Sequence, residues 1–213
     1  MLKKTFHAAC KRSSLAPEAT IQLLWLEIEN NYSEEGRHYH TLEHLEHVIT
    51  ELKPVKKKIK DWDVLLFSIF YHDIIYYTLK RDNEEKSAAV AAQRLKKLGL
   101  SKERAEACQK QILATHKHVK NPDHDTNYFI DADLAILGKD EESYAQYVAD
   151  IRKEYHMYPD VMYNNGRRAF MERFLAMDRI YNTPEFFVKY EEAARKHIEN
   201  ELKGKFELPK MAD

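Results

Sequence analysis

Residues 63–77, DVLLFSIFYHDIIYY, limit what this chain can fold into more than any other stretch. The apolar run at 64–71 is far short of the roughly 20 residues that cross a bilayer, so it must find its cover inside a protein core. His72 and Asp73 follow it at once, and then Ile74 and Ile75. A carboxylate buried there without a partner is expensive, and such a group is normally neutralised by an arginine, a lysine or a metal ion. The neighbour is an imidazole, the commonest side-chain metal donor, which makes a metal the more economical account. The stretch reads as a central buried helix with chemistry at its end.

The rest of the chain reads as all-α. Only 5 Gly and 6 Pro punctuate 213 residues, and the segments between them show helical rather than alternating periodicity. A first helix runs from about Pro17 to residue 32, with Ile21, Leu24, Trp25 and Ile28 as its apolar stripe. Thr41 is a good N-cap for a second, which carries Leu42, Leu45, Ile49 and Leu52 and stops at Pro54. The third spans 61–77. Asn83, followed by Glu84 and Glu85, starts a fourth that closes at Gly99, and Ser101 opens a fifth that reaches about His116. A loop, NPDHDTN, then leads into a short apolar helix, FIDADLAILG, stopped by Gly138. Helices at 141–156, 165–181 and 184–202 complete the pattern, and the tail after Gly204 reads as frayed. The length fits one domain, and no repeat or linker divides it.

Charge and cysteine usage exclude several classes of partner. The 34 Lys plus Arg balance 35 Asp plus Glu, so no overall field draws the chain to nucleic acid or to a membrane. Cys10 and Cys108 stand far apart with no zinc-type spacing, which fits a reducing compartment. The N-terminal MLKKTFHAACKRSS is basic but lacks the apolar stretch of about 7–15 residues that marks a secretory signal. The expectation is a cytoplasmic protein without a membrane span.

Two further stretches concentrate chemistry. RHYHTLEHLEHVI, beginning at Arg37, holds His38, His40, His44 and His47. On a helix turning about 100° per residue, His40, His44 and His47 fall within about 60° of one another, away from the apolar stripe. A wet polar face explains three such histidines as well as a metal site does. FIDADLAILG sets Asp131 and Asp133 among apolar residues. An N-cap role accounts for one of them, most naturally Asp131, but not readily for both.

The ordered set of a histidine, a His-Asp doublet and a later aspartate resembles the HD-domain phosphohydrolase superfamily, and in particular the bacterial group described as predicted metal-dependent HD phosphohydrolases. The matching stretches are RHYHTLEH, YHDIIY, NEEKSA, ATHKH, FIDADLAILG and IYNTPEFFVKYEEAARKHIENEL. The resemblance implies an HD-domain helical bundle with additional C-terminal helices. It would form a single domain over 1–213, with a metal-binding core at about 32–140 and the helices at about 141–203 packed on it. It also implies His44, His72, Asp73 and Asp133 as ligands of a divalent metal ion. Asp133 is preferred because of its ADL string, and Asp131 is the alternative. YHTLEH is similar to the YHNxxH stretch of cyclic-nucleotide phosphodiesterases, which makes His40 the proton donor to the leaving oxygen, although Thr41 departs from that pattern.

The activity so implied is metal-dependent hydrolysis of a phosphate ester of a small molecule, with a nucleotide as one candidate. Two imidazoles and two carboxylates leave two positions open on an octahedral ion, and a set without sulfur favours Mn, Fe, Ni, Co or Mg. The ion would activate the attacking water, while His40 protonates the departing oxygen. Arg37 is a candidate to hold phosphate bidentately, and a surface salt bridge to Glu34 or Glu35 explains it equally well. Glu84 is a candidate to orient the water or an imidazole, or simply complements the helix dipole. His116 and His118 would sit about 200° apart on a continuing helix, so at most one of them faces the site. His47, His124, His156 and His197 read as surface residues, Arg167 and Arg168 as the start of a helix, and the C-terminal aromatics as core. Two other classes fit the same residues. One is a binding or sensory module without turnover. The other is an HD-type di-iron oxygenase; a ferritin-like site is disfavoured, because only Glu35 to His38 has the Glu-x-x-His spacing. Substrate, natural metal and oligomeric state stay open at this point.

Overall fold

A computed structural model describes residues 1–206, and among them the protein is all-α, with ten α-helices, two short 3₁₀ helices and no strand. The helices divide between two compact units, Met1–Ala132 and the remainder from Asp133.

In the first unit the helices are α1 Leu2–Ser13, α2 Glu18–Asn31, α3 Leu42–Leu52, α4 Trp62–Tyr71, α5 Asn83–Leu98, α6 Lys102–Ala114 and α7 His124–Asp133, with a 3₁₀ helix Lys53–Lys58 after α3. The apolar helix is at the centre: every residue of 64–71 is buried, and α1, α3, α5 and α6 all pack on α4. Helix α1 is absent from the sequence-based expectation. It buries Leu2, Phe6, Ala9 and Cys10, a helical spacing in a stretch that also carries Lys3, Lys4, Lys11 and Arg12. Phe6 is fully buried and meets Phe70, Trp25, Phe67 and Tyr71 at ring separations of 5.2, 6.1, 6.2 and 6.4 Å.

The start of α4 is pinned. Asp61 caps it by accepting from the Val64 N–H at 3.0 Å, and Arg104 of α6 grips the same carboxylate with two bonds of 2.8 Å. This guanidinium, together with the backbone donors, holds the Asp61 carboxyl below its ordinary range against the opposing effect of burial. The buried carboxylate of Asp125, in the first turn of α7, accepts from the backbone N–H groups of Lys60 and Asp61 at 2.9 Å each. The beginnings of α4 and α7 are thereby fixed to one point.

In this unit two helix ends differ clearly from expectation. Helix α4 ends at Tyr71, not near residue 77, because side chains take over the backbone groups that follow. Tyr32 Oη accepts the Asp73 N–H at 3.1 Å, Arg37 donates to the Asp73 and Ile74 carbonyls, Ser87 Oγ bonds both backbone groups of Ile75, and Asn83 bonds both of Tyr77. Helix α7 begins at His124, inside the stretch expected to be loop. Asp123 caps it, accepting from the Thr126 N–H at 2.9 Å and the Thr126 hydroxyl at 2.6 Å. Asp131 and Asp133 therefore close a helix; they do not open one.

The second unit holds the 3₁₀ helix Leu134–Gly138, α8 Glu141–Glu154, α9 Asp160–Leu175 and α10 Pro184–Leu202. The start of α9 five residues earlier than expected puts Arg167 and Arg168 inside it. Arg167 is buried and pairs with Glu201 at 2.7 Å and the Tyr147 hydroxyl at 2.9 Å. His197 was expected at the surface and is buried instead, its Nδ1 2.9 Å from the Leu137 carbonyl and its ring stacked on Tyr144 at 4.8 Å. Tyr144, Tyr147, Tyr163, Phe174, Tyr181, Phe186 and Tyr190 are core residues, as expected, whereas Tyr155, Tyr158, Phe170 and Phe187, expected with them, are only half-buried. Phe206 lies against Tyr144 at 5.0 Å, so the described part of the tail is packed; the rest of it falls outside the described residues.

Removing the Phe6 ring should test whether α1 is integral to the first unit. Phe6→Ala is expected to destabilise the protein by about 3–5 kcal/mol in chemical denaturation, the range for an aromatic lost from a well-packed core. A loss below about 1 kcal/mol would mean that α1 is a peripheral attachment.

Candidate metal centre

Helix α3 delivers the first donor. Thr41 caps it, its hydroxyl accepting from the Glu43 N–H at 3.3 Å, and Leu45, Val48, Ile49 and Leu52 anchor it in the core. His44, in its first turn, is buried with them. The second donor, His72, directly follows α4 and is 1% exposed. The two Nε2 atoms approach to 3.2 Å.

The protonation of His72 follows from its surroundings. Its Nδ1 lies 2.8 Å from the Ile69 carbonyl oxygen, which can only accept, so Nδ1 carries a hydrogen. In the neutral ring the lone pair is then on Nε2. That atom faces Asp73 Oδ2 at 3.0 Å as well as His44 Nε2. A lone pair facing a carboxylate oxygen at this distance is relieved by a cation, either a proton or a metal ion, while the contact with His44 is also met by a hydrogen on His44 Nε2. A ring that donates its far N–H to a backbone carbonyl while aiming the near nitrogen at the site is the usual posture of a metal-ligating histidine.

Asp133 completes the group. Ligand atoms of His44, His72 and Asp133 all lie within 4.8 Å of one another. Donors about 2.1 Å from one ion stand about 3–4.2 Å apart, so side-chain movements below about 1 Å would bring the three onto a common cation. Asp133 is the last residue of α7, and that helix is tied at its other end to the start of α4 through Asp125. Phe129, one turn before Asp133, meets the His72 ring edge-on at 5.5 Å. Asp131 is fully buried and sits about 200° around α7 from Asp133, so the two cannot face the same point; Asp133 is the one in the group.

Asp73 lies at the edge of this trio, with its Oδ2 between His72 Nε2 at 3.0 Å and His40 Nε2 at 3.9 Å. The His40 ring is 5.7 Å from that of His44 and stacks on Tyr76 at 4.2 Å. Tyr39 stands 5.0 Å from both the His40 and His44 rings. Of the expected residues, His40, His44, His72, Asp73 and Asp133 thus come together.

Arg37 and Glu84 have other attachments. The Arg37 side chain is 3% exposed, and its bond to Glu34, at 3.4 Å, is accompanied by bonds to backbone carbonyls of the segments carrying His40 and Asp73. Glu84 Oε1 pairs with His116 Nδ1 at 3.3 Å, which joins the first turn of α5 to the residues after α6. Helix α6 stops at Ala114, so the helical angle between His116 and His118 does not apply, and His118 takes a positive φ of 50°. His47, His124 and His156 are exposed, as expected. Sequence reasoning missed the tyrosines: Tyr32 lies outside the matching stretches, and Tyr39 and Tyr76 lie inside YHTLEH and YHDIIY but were passed over there for the neighbouring histidines and aspartate.

Comparison of the chain with protein-family models, with curated proteins and with solved structures finds no match.

A metal at this centre should register as stability. Mn²⁺ or Co²⁺ at about 100 times its dissociation constant is expected to add about 2.7 kcal/mol to the unfolding free energy. The gain should vanish in His72→Ala and Asp133→Asn and persist in a folded Asp131→Asn protein. Loss in Asp131→Asn with retention in Asp133→Asn would exchange the two carboxylates.

Proposed function

We propose that the protein is a metal-dependent phosphohydrolase that cleaves a phosphate ester of a small molecule, a nucleotide being one candidate. The observation that carries this reading is the His72 ring. Its Nε2 lone pair is turned toward a carboxylate oxygen and a second imidazole nitrogen, an arrangement that fits a divalent cation. His44, His72, Asp73 and Asp133 are the residues that would hold the ion, and a nitrogen and oxygen set suits Mn, Fe, Ni, Co or Mg. Bound there, the ion would bring a water pKa down toward neutrality and draw charge from a phosphoryl oxygen.

The chain's own residues supply the rest. His40 stands beside Asp73 without belonging to the central trio, which suits a proton donor to a leaving oxygen. Its ring is stacked on Tyr76, which holds it beside the site. The resemblance to HD-domain phosphohydrolases supports the same reading, since three of the four residues it nominates as ligands, His44, His72 and Asp133, form one group, and the fourth, Asp73, stands beside His72. No helix among the described residues is long and apolar enough to cross a membrane. Both cysteines are free and buried, and burial pushes each thiol up to about 12. A reducing, cytoplasmic setting is part of the proposal.

The test is phosphate release from a panel of phosphorylated metabolites by protein reloaded with Mn²⁺, Co²⁺, Ni²⁺ or Mg²⁺. Release should require the metal, disappear in His72→Ala and Asp73→Ala, and fall by about 10²–10⁴ in kcat in His40→Ala. A nucleotide that raises the melting temperature without being consumed would instead make the protein a binding module.

A further inference from the structure

We infer that Arg37 is a positioning residue for the metal centre and not a ligand for substrate phosphate, an inference that rests on the metal-site reading above. A guanidinium has five N–H donors in a rigid planar fork, and all five of Arg37 are directed at acceptors within the fold. Nη1 donates to the Asp73 carbonyl at 2.7 Å and to the His40 carbonyl at 3.3 Å. Nη2 donates to the Ile74 carbonyl at 3.2 Å and to Glu34 Oε2 at 3.4 Å, and Nε donates to that same oxygen at 3.4 Å. Two aromatic rings lie close to the group as well, with Tyr32 5.1 Å and Tyr76 5.5 Å from Cζ to ring centre. A phosphate could engage this side chain only by displacing buried carbonyls or the Glu34 carboxylate.

What the guanidinium joins is informative. His40 and Asp73 are 33 positions apart in the chain, and one planar group bonds the carbonyls of both. The tyrosines extend the coupling. Tyr32 accepts the Asp73 N–H at 3.1 Å, and Tyr76, also close to Arg37, stacks on the His40 ring. The cation therefore sets the distance between the proton-donor segment and the His-Asp turn. A lysine would keep the charge but offers at most three donors and no flat face.

The experiment is a Co²⁺ titration of the full-length protein, followed by visible absorption, in wild type, Arg37→Lys and Arg37→Gln, with melting curves and the affinity of the Co²⁺-loaded forms for inorganic phosphate measured alongside. The Co²⁺ dissociation constant should rise about tenfold in Arg37→Lys and further in Arg37→Gln, with an altered absorption band in each. If Arg37→Gln does not fold, Arg37→Lys carries the test. A lower melting temperature with the Co²⁺ constant and spectrum of wild type would reduce Arg37 to a purely structural role and overturn the inference. A loss of phosphate affinity at unchanged Co²⁺ affinity and spectrum would make it a phosphate ligand and overturn the inference as well. If wild type takes up no Co²⁺, the metal reading itself fails, an outcome separate from both.

Discussion

The Ile69 carbonyl, 2.8 Å from His72 Nδ1, fixes which ring nitrogen carries a hydrogen, and everything at the centre follows from that bond. With Nδ1 committed, Nε2 offers only a lone pair in the neutral ring, and it offers it to a carboxylate oxygen and another imidazole. Like-signed electron density at these separations in a dry place repels strongly. Positive charge at the centre, a proton or a metal ion, relieves the contact with the carboxylate. The bond is local, spanning three residues at the end of α4, so it forms with the helix and needs no distant partner. The most consequential protonation choice in the molecule is thus made by its most hydrophobic element.

Around that point the backbone is unusually dependent on side chains. After Tyr71 the chain leaves the helix and is held by a tyrosine hydroxyl, a guanidinium, a serine and an asparagine from three other segments. Each satisfies groups that would otherwise be left without partners as the helix ends. A turn held by several independent tethers has few alternative conformations, which suits a site whose donors must meet within a fraction of an ångström.

Much of this was legible beforehand, and the failures have identifiable causes. Capping residues and periodicity located α3, α5, α8 and α10 closely, because Thr41, Gly99 and Pro184 act through local chemistry. The end of α4 was misplaced because periodicity runs on through Ile74 and Ile75, while the tethers that stop the helix come from residues 32, 37, 83 and 87. Helix α1 was not expected because its four buried residues are set among polar positions, Lys3, Lys4, Thr5 and His7 between them and Lys11 and Arg12 after them. Asp131 and Asp133 looked like a helix start because Asp123, the true cap, sits in a run of turn-forming residues. His197 gave no sign of burial, since its partner, the Leu137 carbonyl, is 60 positions away. The residues gathered at the centre were nominated by order and resemblance. The role of Arg37 could not have been, because it depends on backbone carbonyls that carry no sequence signal.

The joint made by Asp125 gives α4 and α7 a common origin, and both helices are ten residues long. They work as a pair of matched rulers, with His72 at the far mark of one and Asp133 at the far mark of the other. Adding or deleting one residue in either would shift its tip by about 1.5 Å and swing it by about 100°, which removes a donor entirely. Divergence in this protein can therefore be generous in composition along these helices, but the interval from 61 to 72 and that from 125 to 133 should tolerate no change in length.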